Sequence, residues 1–137
     1  MNVIAVTQKG LNKTENEDRI IIGKTIVANG TLFSEISDGV LAVADGVGGH
    51  NAGAIASHFV SNKLCHLKEI SVDLLRAIND ELFAISETTA GQKGMATTLS
   101  GVCIDDSNTQ LFSIGNTRVY LLQSRKYLKQ LTTRSEG

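Results

Sequence analysis

The sequence has no proline, only two cysteines, no long apolar run and a net charge of just −1. Each shortage narrows what the chain can be. A membrane-crossing helix needs about 20 consecutive apolar residues, and no stretch approaches that, so no membrane partner is expected. A charge of −1 with scattered basic residues creates no field that would favour nucleic acid or an anionic lipid surface. Cys65 and Cys103 fall in segments that read as a helix and a strand, without metal-ligand spacing. They are expected to be reduced thiols of a cytoplasmic protein rather than a disulfide or a zinc site. Met1 to Lys9 lacks the charged start and apolar stretch of a secretory signal. Internal repeats, low-complexity tracts and linkers are missing too. The absence of proline is unusual for a chain with many turns, and nothing in the sequence accounts for it.

What is present is ordinary globular material, 42% hydrophobic and 20% charged, forming one domain over 1–137 that is long enough to bury a core. Val3 to Thr7 and the Ile-rich Arg19 to Val27, with Ile20 and Ile22 on one face, read as strands. Asn29-Gly30 is a turn signal. Val40 to Ala44 is a continuous apolar run that fits a buried strand. A helix is expected from about Ala52 to Leu67, with Ile55, Phe59, Lys63 and Leu67 recurring along one face that Val60 and Leu64 complete. A second starts after Ser71 as N-cap, its stripe formed by Leu75, Ile78, Leu82 and Ile85. Beyond Gly91 and Gly94, strands are expected at Thr97 to Ile104, Thr109 to Ile114, Arg118 to Gln123 and Tyr127 to Leu131. Hairpin loops fall at Asp105 to Asn108 and Ser124 to Lys126. Strands, two helices and a meander make an α+β fold with helices packed on antiparallel sheet.

Four segments are candidates for chemistry. Asn16-Glu17-Asp18 precedes a strand, where the two acids point to opposite faces; alone, such a pair is also what a solvated turn looks like. Val43-Ala44-Asp45-Gly46-Val47-Gly48-Gly49-His50 places a carboxylate at the end of a buried strand, which is costly unless something pairs it. A strand, a glycine loop and a helix also describe a dinucleotide site, but Gly46, Gly48 and Asn51 lack the third glycine of that fingerprint, and Asp45 stands where a phosphate would approach. A hard divalent cation suits the carboxylate better. Gly94 to Thr98 and Gly115-Asn116-Thr117-Arg118 each read, alone, as a strand with a turn.

Taken in order, these segments resemble the metal-dependent serine/threonine protein phosphatases of the type 2C family, in the bacterial form. The family pattern is an Arg three residues before Asn-Glu-Asp, an Ala-Asp-Gly-x-Gly-Gly-His loop, a Gly-Thr-Thr strand and a Gly-Asp-Ser-Arg hairpin. Here the counterparts are Lys13 with Asn16 to Asp18, Ala44 to His50, Ala96-Thr97-Thr98 and Gly115 to Arg118. The resemblance implies a four-layer sandwich, two antiparallel sheets flanked by helices, of which this chain holds a little over the first half. It implies two Mg²⁺ or Mn²⁺ ions bridged by Asp45, with the Gly46 carbonyl and Glu17 in the shell, Asp18 holding a water, and Lys13 at the phosphate. The water would attack phosphorus in line with the leaving oxygen. The implied partner is a phosphoprotein, with a cognate serine/threonine kinase beside it.

Departures from the pattern shape the expectations. Lys13 replaces the usual Arg and contacts phosphate as a point charge, without a bidentate fork. Val47 stands where many eukaryotic members carry a histidine, and His50 lies three residues on. Asn116 replaces an Asp that binds a third metal in many members, and Ala96 replaces a glycine. The family's later Asp ligands fall beyond Gly137. Two readings follow: an enzyme hydrolysing phosphoserine or phosphothreonine, or an inactive phosphatase-like module that binds a phosphoprotein. Self-association is also expected, through sheet edges that Thr97 to Ile104 and Thr109 to Ile114, good β formers with few charges, leave unprotected.

Overall fold

The computed structural model describes residues 1–133, so the last four positions of the expected domain lie outside the described residues. In chain order the elements are β1 (Asn2–Thr7), β2 (Asp18–Ile22), β3 (Thr25–Val27), β4 (Gly30–Glu35), β5 (Gly39–Val47), α1 (Ala52–Leu64), α2 (Val72–Thr88), β6 (Ala96–Thr97), β7 (Leu99–Ile104), β8 (Thr109–Ile114), β9 (Tyr120–Gln123) and β10 (Tyr127–Gln130). A six-stranded antiparallel sheet runs β3-β2-β5-β7-β8, with β6 paired to the end of β5. Two further ladders, β1 with β4 and β9 with β10, stand apart from it.

Strand alternation divides the core. On β5, Val40, Ala42 and Ala44 face one way and join Ile21, the α1 residues Ala52, Ala56, Val60 and Leu64, and Ile78 and Leu82 of α2. On the other face of the large sheet, Ile22 and Val27 pack with Ala5 of β1, supported by Ile20, Leu32 and Leu41. The expected pairing of Ile20 with Ile22 on one face therefore holds, while Ile21 serves the helix side. The layers are helices, the large sheet, and the β1–β4 ladder. The fourth, helical layer of the implied sandwich is absent among the described residues, and Ile4, Val6 and Phe33 on the outer side of β1–β4 are exposed.

Several expected boundaries shift. The run from Arg19 to Val27 is a hairpin, broken at Gly23-Lys24, and β4 went unread because its alternation is weak. α1 stops at Leu64 rather than Leu67, since Cys65 is already extended and His66 has φ of 73°. Its buried face is also different from the one expected: Ile55 is 38% exposed, and the buried stripe is Ala52, Ala56, Val60 and Leu64 with Gly53, Ser57 and Ser61 between. The helix lies too close to β5 for large side chains in its first turns, so Phe59 and Lys63 turn toward α2. There Lys63 meets Glu81 at 3.1 Å and lies over the Phe59 ring. For α2 the stripe and the cap are as expected: Ser71 Oγ accepts from the Leu74 N–H at 3.1 Å, and Ile78 and Leu82 are buried. Thr97 to Ile104 divides at Thr98 into β6 and β7. Because β7 is paired on both sides it is no edge; β8 is.

Candidate metal centre

The site grows from the end of β5. Across the β2–β5 ladder, Asp18 is the direct partner of Asp45, and directly opposed residues share a face with their side chains a few ångströms apart. Two carboxylates so placed repel. The Asp18 carboxyl is pushed up to about 6 by burial first, then by contact with Asp45 and the negative charges of Asp45 and Glu17. A cavity of about 470 Å³ opens over them, with Lys13, Glu17, Asp18, Asp45 and Gly46 in its wall.

The backbone here is tightly held. Thr98 bonds Asp45 twice, its Oγ1 accepting from the Asp45 N–H at 3.1 Å and its own N–H donating to the Asp45 carbonyl at 2.9 Å. Gly115, in the turn after β8, packs against the Thr98 side chain. The Gly46 N–H donates to the Glu17 carbonyl at 3.0 Å. Asn16 spends its whole amide: Nδ2 donates to Thr7 Oγ1 and the Ala28 carbonyl, each at 2.9 Å, and Oδ1 accepts from the Asp18 N–H at 3.1 Å. Gly46 and Gly53 let α1 approach: a Cβ on Gly46 would overlap the Gly53 carbonyl, and one on Gly53 would overlap the Glu17 carboxylate.

The structure thus gathers all five residues singled out in the sequence, but not as one cluster. Asp18 and Asp45 face each other. Glu17 instead turns its Oε1 to Lys13 Nζ at 3.0 Å, and among the described residues no group of three or more His, Cys, Asp or Glu converges to hold a metal. His50 has φ of 52° and lies outside the cavity wall, as does Asn116. Cys65 and Cys103 are free thiols, Cys103 buried and its thiol pushed up, chiefly by burial. Gly53 and the two bonds of Thr98 escaped sequence reasoning; a small residue in the first turn of a helix that follows a glycine loop was the only available sign of the first.

The donor set fits a hard divalent cation. Two carboxylates facing each other across a ladder, in a cavity wall that also holds Gly46, are what Mg²⁺ or Mn²⁺ takes while keeping several waters.

No protein-family model matches the chain. Among curated proteins it is 34% identical to the serine/threonine protein phosphatase PstP of Mycobacterium tuberculosis, over 93% of this chain and 24% of that one. It is 31% identical to the serine/threonine phosphatase stp of Listeria monocytogenes, over 92% of this chain and 51% of the relative. The crystal structure of the M. tuberculosis phosphatase PstP/Ppp superposes with a TM-score of 0.74 at 29% identity, covering 98% of this chain and 54% of that one. The PstP catalytic domain in complex with two manganese ions gives 0.73 at 30% identity, covering 96% and 54%. The chain therefore spans between a quarter and about half the length of the curated relatives it matches. No helix among the described residues is long and apolar enough to cross a membrane. Sequence and fold together liken the chain to the bacterial serine/threonine protein phosphatases of the type 2C family, whose fold it carries over about half of their domain.

Proposed function

We propose that the cavity over Asp18 and Asp45 is the divalent-metal centre of a protein phosphatase acting on phosphoserine and phosphothreonine. One observation carries the reading: the two carboxylates are ladder partners in the cavity wall, and burial together with the charge of Asp45 raises the proton affinity of Asp18, an arrangement that a cation relieves. The two manganese ions of the PstP catalytic domain support it. When bound, such ions supply Lewis acidity that brings a water's pKa toward neutrality and offsets charge on a phosphoryl group.

The chain's own residues divide the work. Asp45 and Asp18 provide carboxylate oxygens and Gly46 its carbonyl, and Asp18 also accepts a hydrogen bond from the water to be deprotonated. Lys13 offers a point charge to a phosphate oxygen. Its pair with Glu17 is 64% exposed on the lysine side, so it is weakly held and can be exchanged. Glu17 joins the shell only by giving up Lys13. The implied substrate is a phosphorylated protein, with a cognate kinase as the implied partner. A second reading, a module that binds a phosphoprotein without turnover, is favoured by the convergence of only two carboxylates.

Calorimetric titration of Mn²⁺ into residues 1–137 tests the centre. Weak binding that disappears in Asp45→Asn is expected. Tight binding that survives the substitution would place the metal elsewhere.

A further inference from the structure

Arg19 follows the acidic pair directly and is only 9% exposed, yet it forms no ion pair with a carboxylate among the described residues. A buried guanidinium is expensive unless its donors are used. Here one terminal nitrogen, Nη1, donates to the Asn16 carbonyl at 2.7 Å and to the Asp18 carbonyl at 2.8 Å, and Nε donates to His58 Nδ1 at 3.4 Å. The carbonyl between those two, that of Glu17, accepts from Ser57 Oγ at 2.7 Å and from the Gly46 N–H at 3.0 Å. Three successive carbonyls of the acidic segment are therefore all tied down, the outer two by Arg19 Nη1 and the middle one by Ser57 and Gly46. A turn needs no such arrangement for its own sake, because exposed carbonyls are satisfied by water.

We infer that Arg19 is a positioning residue, a clamp that fixes the Asn16–Glu17 and Asp18–Arg19 peptide planes and so aims the Asp18 carboxylate at Asp45. This rests on the metal-centre reading above. Charge-assisted bonds from a buried guanidinium nitrogen resist peptide rotation more than neutral ones do. A rotation of either plane would swing Asp18 out of line with its ladder partner. The α1 residues Ser57 and His58 complete the clamp, Ser57 Oγ on the Glu17 carbonyl and His58 Nδ1 on Arg19 Nε, which couples the acidic segment to the helix as well as to the sheet.

The experiment compares Arg19→Met, Arg19→Lys and the distant core variant Leu82→Ala, all below their unfolding temperatures. Mn²⁺ affinity by calorimetry is expected to fall by about tenfold or more in Arg19→Met, the size usual when a partner that orients a metal ligand is lost. Arg19→Lys, whose amine can still bridge two carbonyls, should recover most of it. Leu82→Ala should lower the unfolding temperature and leave affinity alone. Backbone ¹⁵N relaxation without metal should show lower order at Asn16, Glu17 and Asp18 in Arg19→Met only. Parent-like affinity with unchanged order in Arg19→Met would overturn the clamp, as would an equal loss in Leu82→Ala. A parent chain that binds no Mn²⁺ would overturn the metal-centre reading instead, and the relaxation data would still decide the clamp.

Discussion

Thr98 holds the backbone of Asp45 from both directions, accepting from its N–H and donating to its carbonyl. One of those bonds needs the hydroxyl. Thr98→Val should cost about 1 kcal/mol, the usual net worth of one hydrogen bond, and weaken Mn²⁺ binding by letting Asp45 drift. Thr98→Ser should do neither. Thermal denaturation and calorimetry on the two variants check this; equal stability and affinity in all three chains would show that Thr98 is only a packing residue.

The raised Asp18 pKa makes metal-free stability fall with rising pH. The unfolded carboxyl loses its proton near 3.8 and the folded one near 6. Between those values the native state binds more protons, so its stability declines as pH climbs through the window. Asp18→Asn should match the parent at pH 4 and exceed it at pH 7 in chelator. Mn²⁺ should bind less well below pH 6, where it competes with the proton on Asp18. A flat stability difference between parent and variant from pH 4 to 7 would contradict the assignment.

Much of this site was legible in the sequence, and the reason is local. Asp45 ends an apolar strand before a glycine loop, and Asn16-Glu17-Asp18 precedes a second strand, so both acids were visible as costly groups at strand ends. What stayed hidden depends on distance between elements. The opposition of Gly46 to Gly53 and the bonds that Ser57 and His58 make to the acidic segment and Arg19 exist only once α1 lies against it. The face of α1 was misread for the same reason. Periodicity favours Ile55 and Phe59, but close packing selects the alanines and serines.

Gly46 and Gly53 should separate folding from site geometry. A methyl on Gly46 meets the backbone carbonyl of Gly53, which cannot move away, so Gly46→Ala should destabilise by about 2–3 kcal/mol. A methyl on Gly53 meets chiefly the mobile end of Glu17, and alanine gains about 1 kcal/mol in helix propensity over glycine. Gly53→Ala should therefore keep its unfolding temperature while Glu17 leaves Lys13. Denaturation curves and the Lys13 side-chain NMR signals report the two effects.

Little turnover of p-nitrophenyl phosphate is expected from residues 1–137, because only two carboxylates converge among the described residues. Asn116→Asp should not restore it, since residue 116 lies outside the cavity wall. Robust Mn²⁺-dependent turnover by the purified chain would require ligands from a second molecule.

Association should accompany the open surfaces. Phe33 is 73% exposed beside Ile4 and Val6, Leu122 and Leu128 are bare on the β9–β10 hairpin, and β8 is an uncharged edge. Light scattering over a concentration series should show dimers or larger species, reduced by pairing Ile4→Lys with Phe33→Glu. A monodisperse monomer at high concentration would mean that these faces are tolerated by water.

The buried stripe of α1 enlarges steadily along the helix, from Ala52 and Ala56 through Val60 to Leu64. Because the gap between packed elements follows side-chain size, this taper acts as a wedge. It sets α1 down hardest where Gly53 meets Gly46 and eases it away toward Leu64. Substituting a larger residue at Ala52 or Ala56 would level the wedge, lifting the helix start from the carboxylates while the far end of the core stays shut.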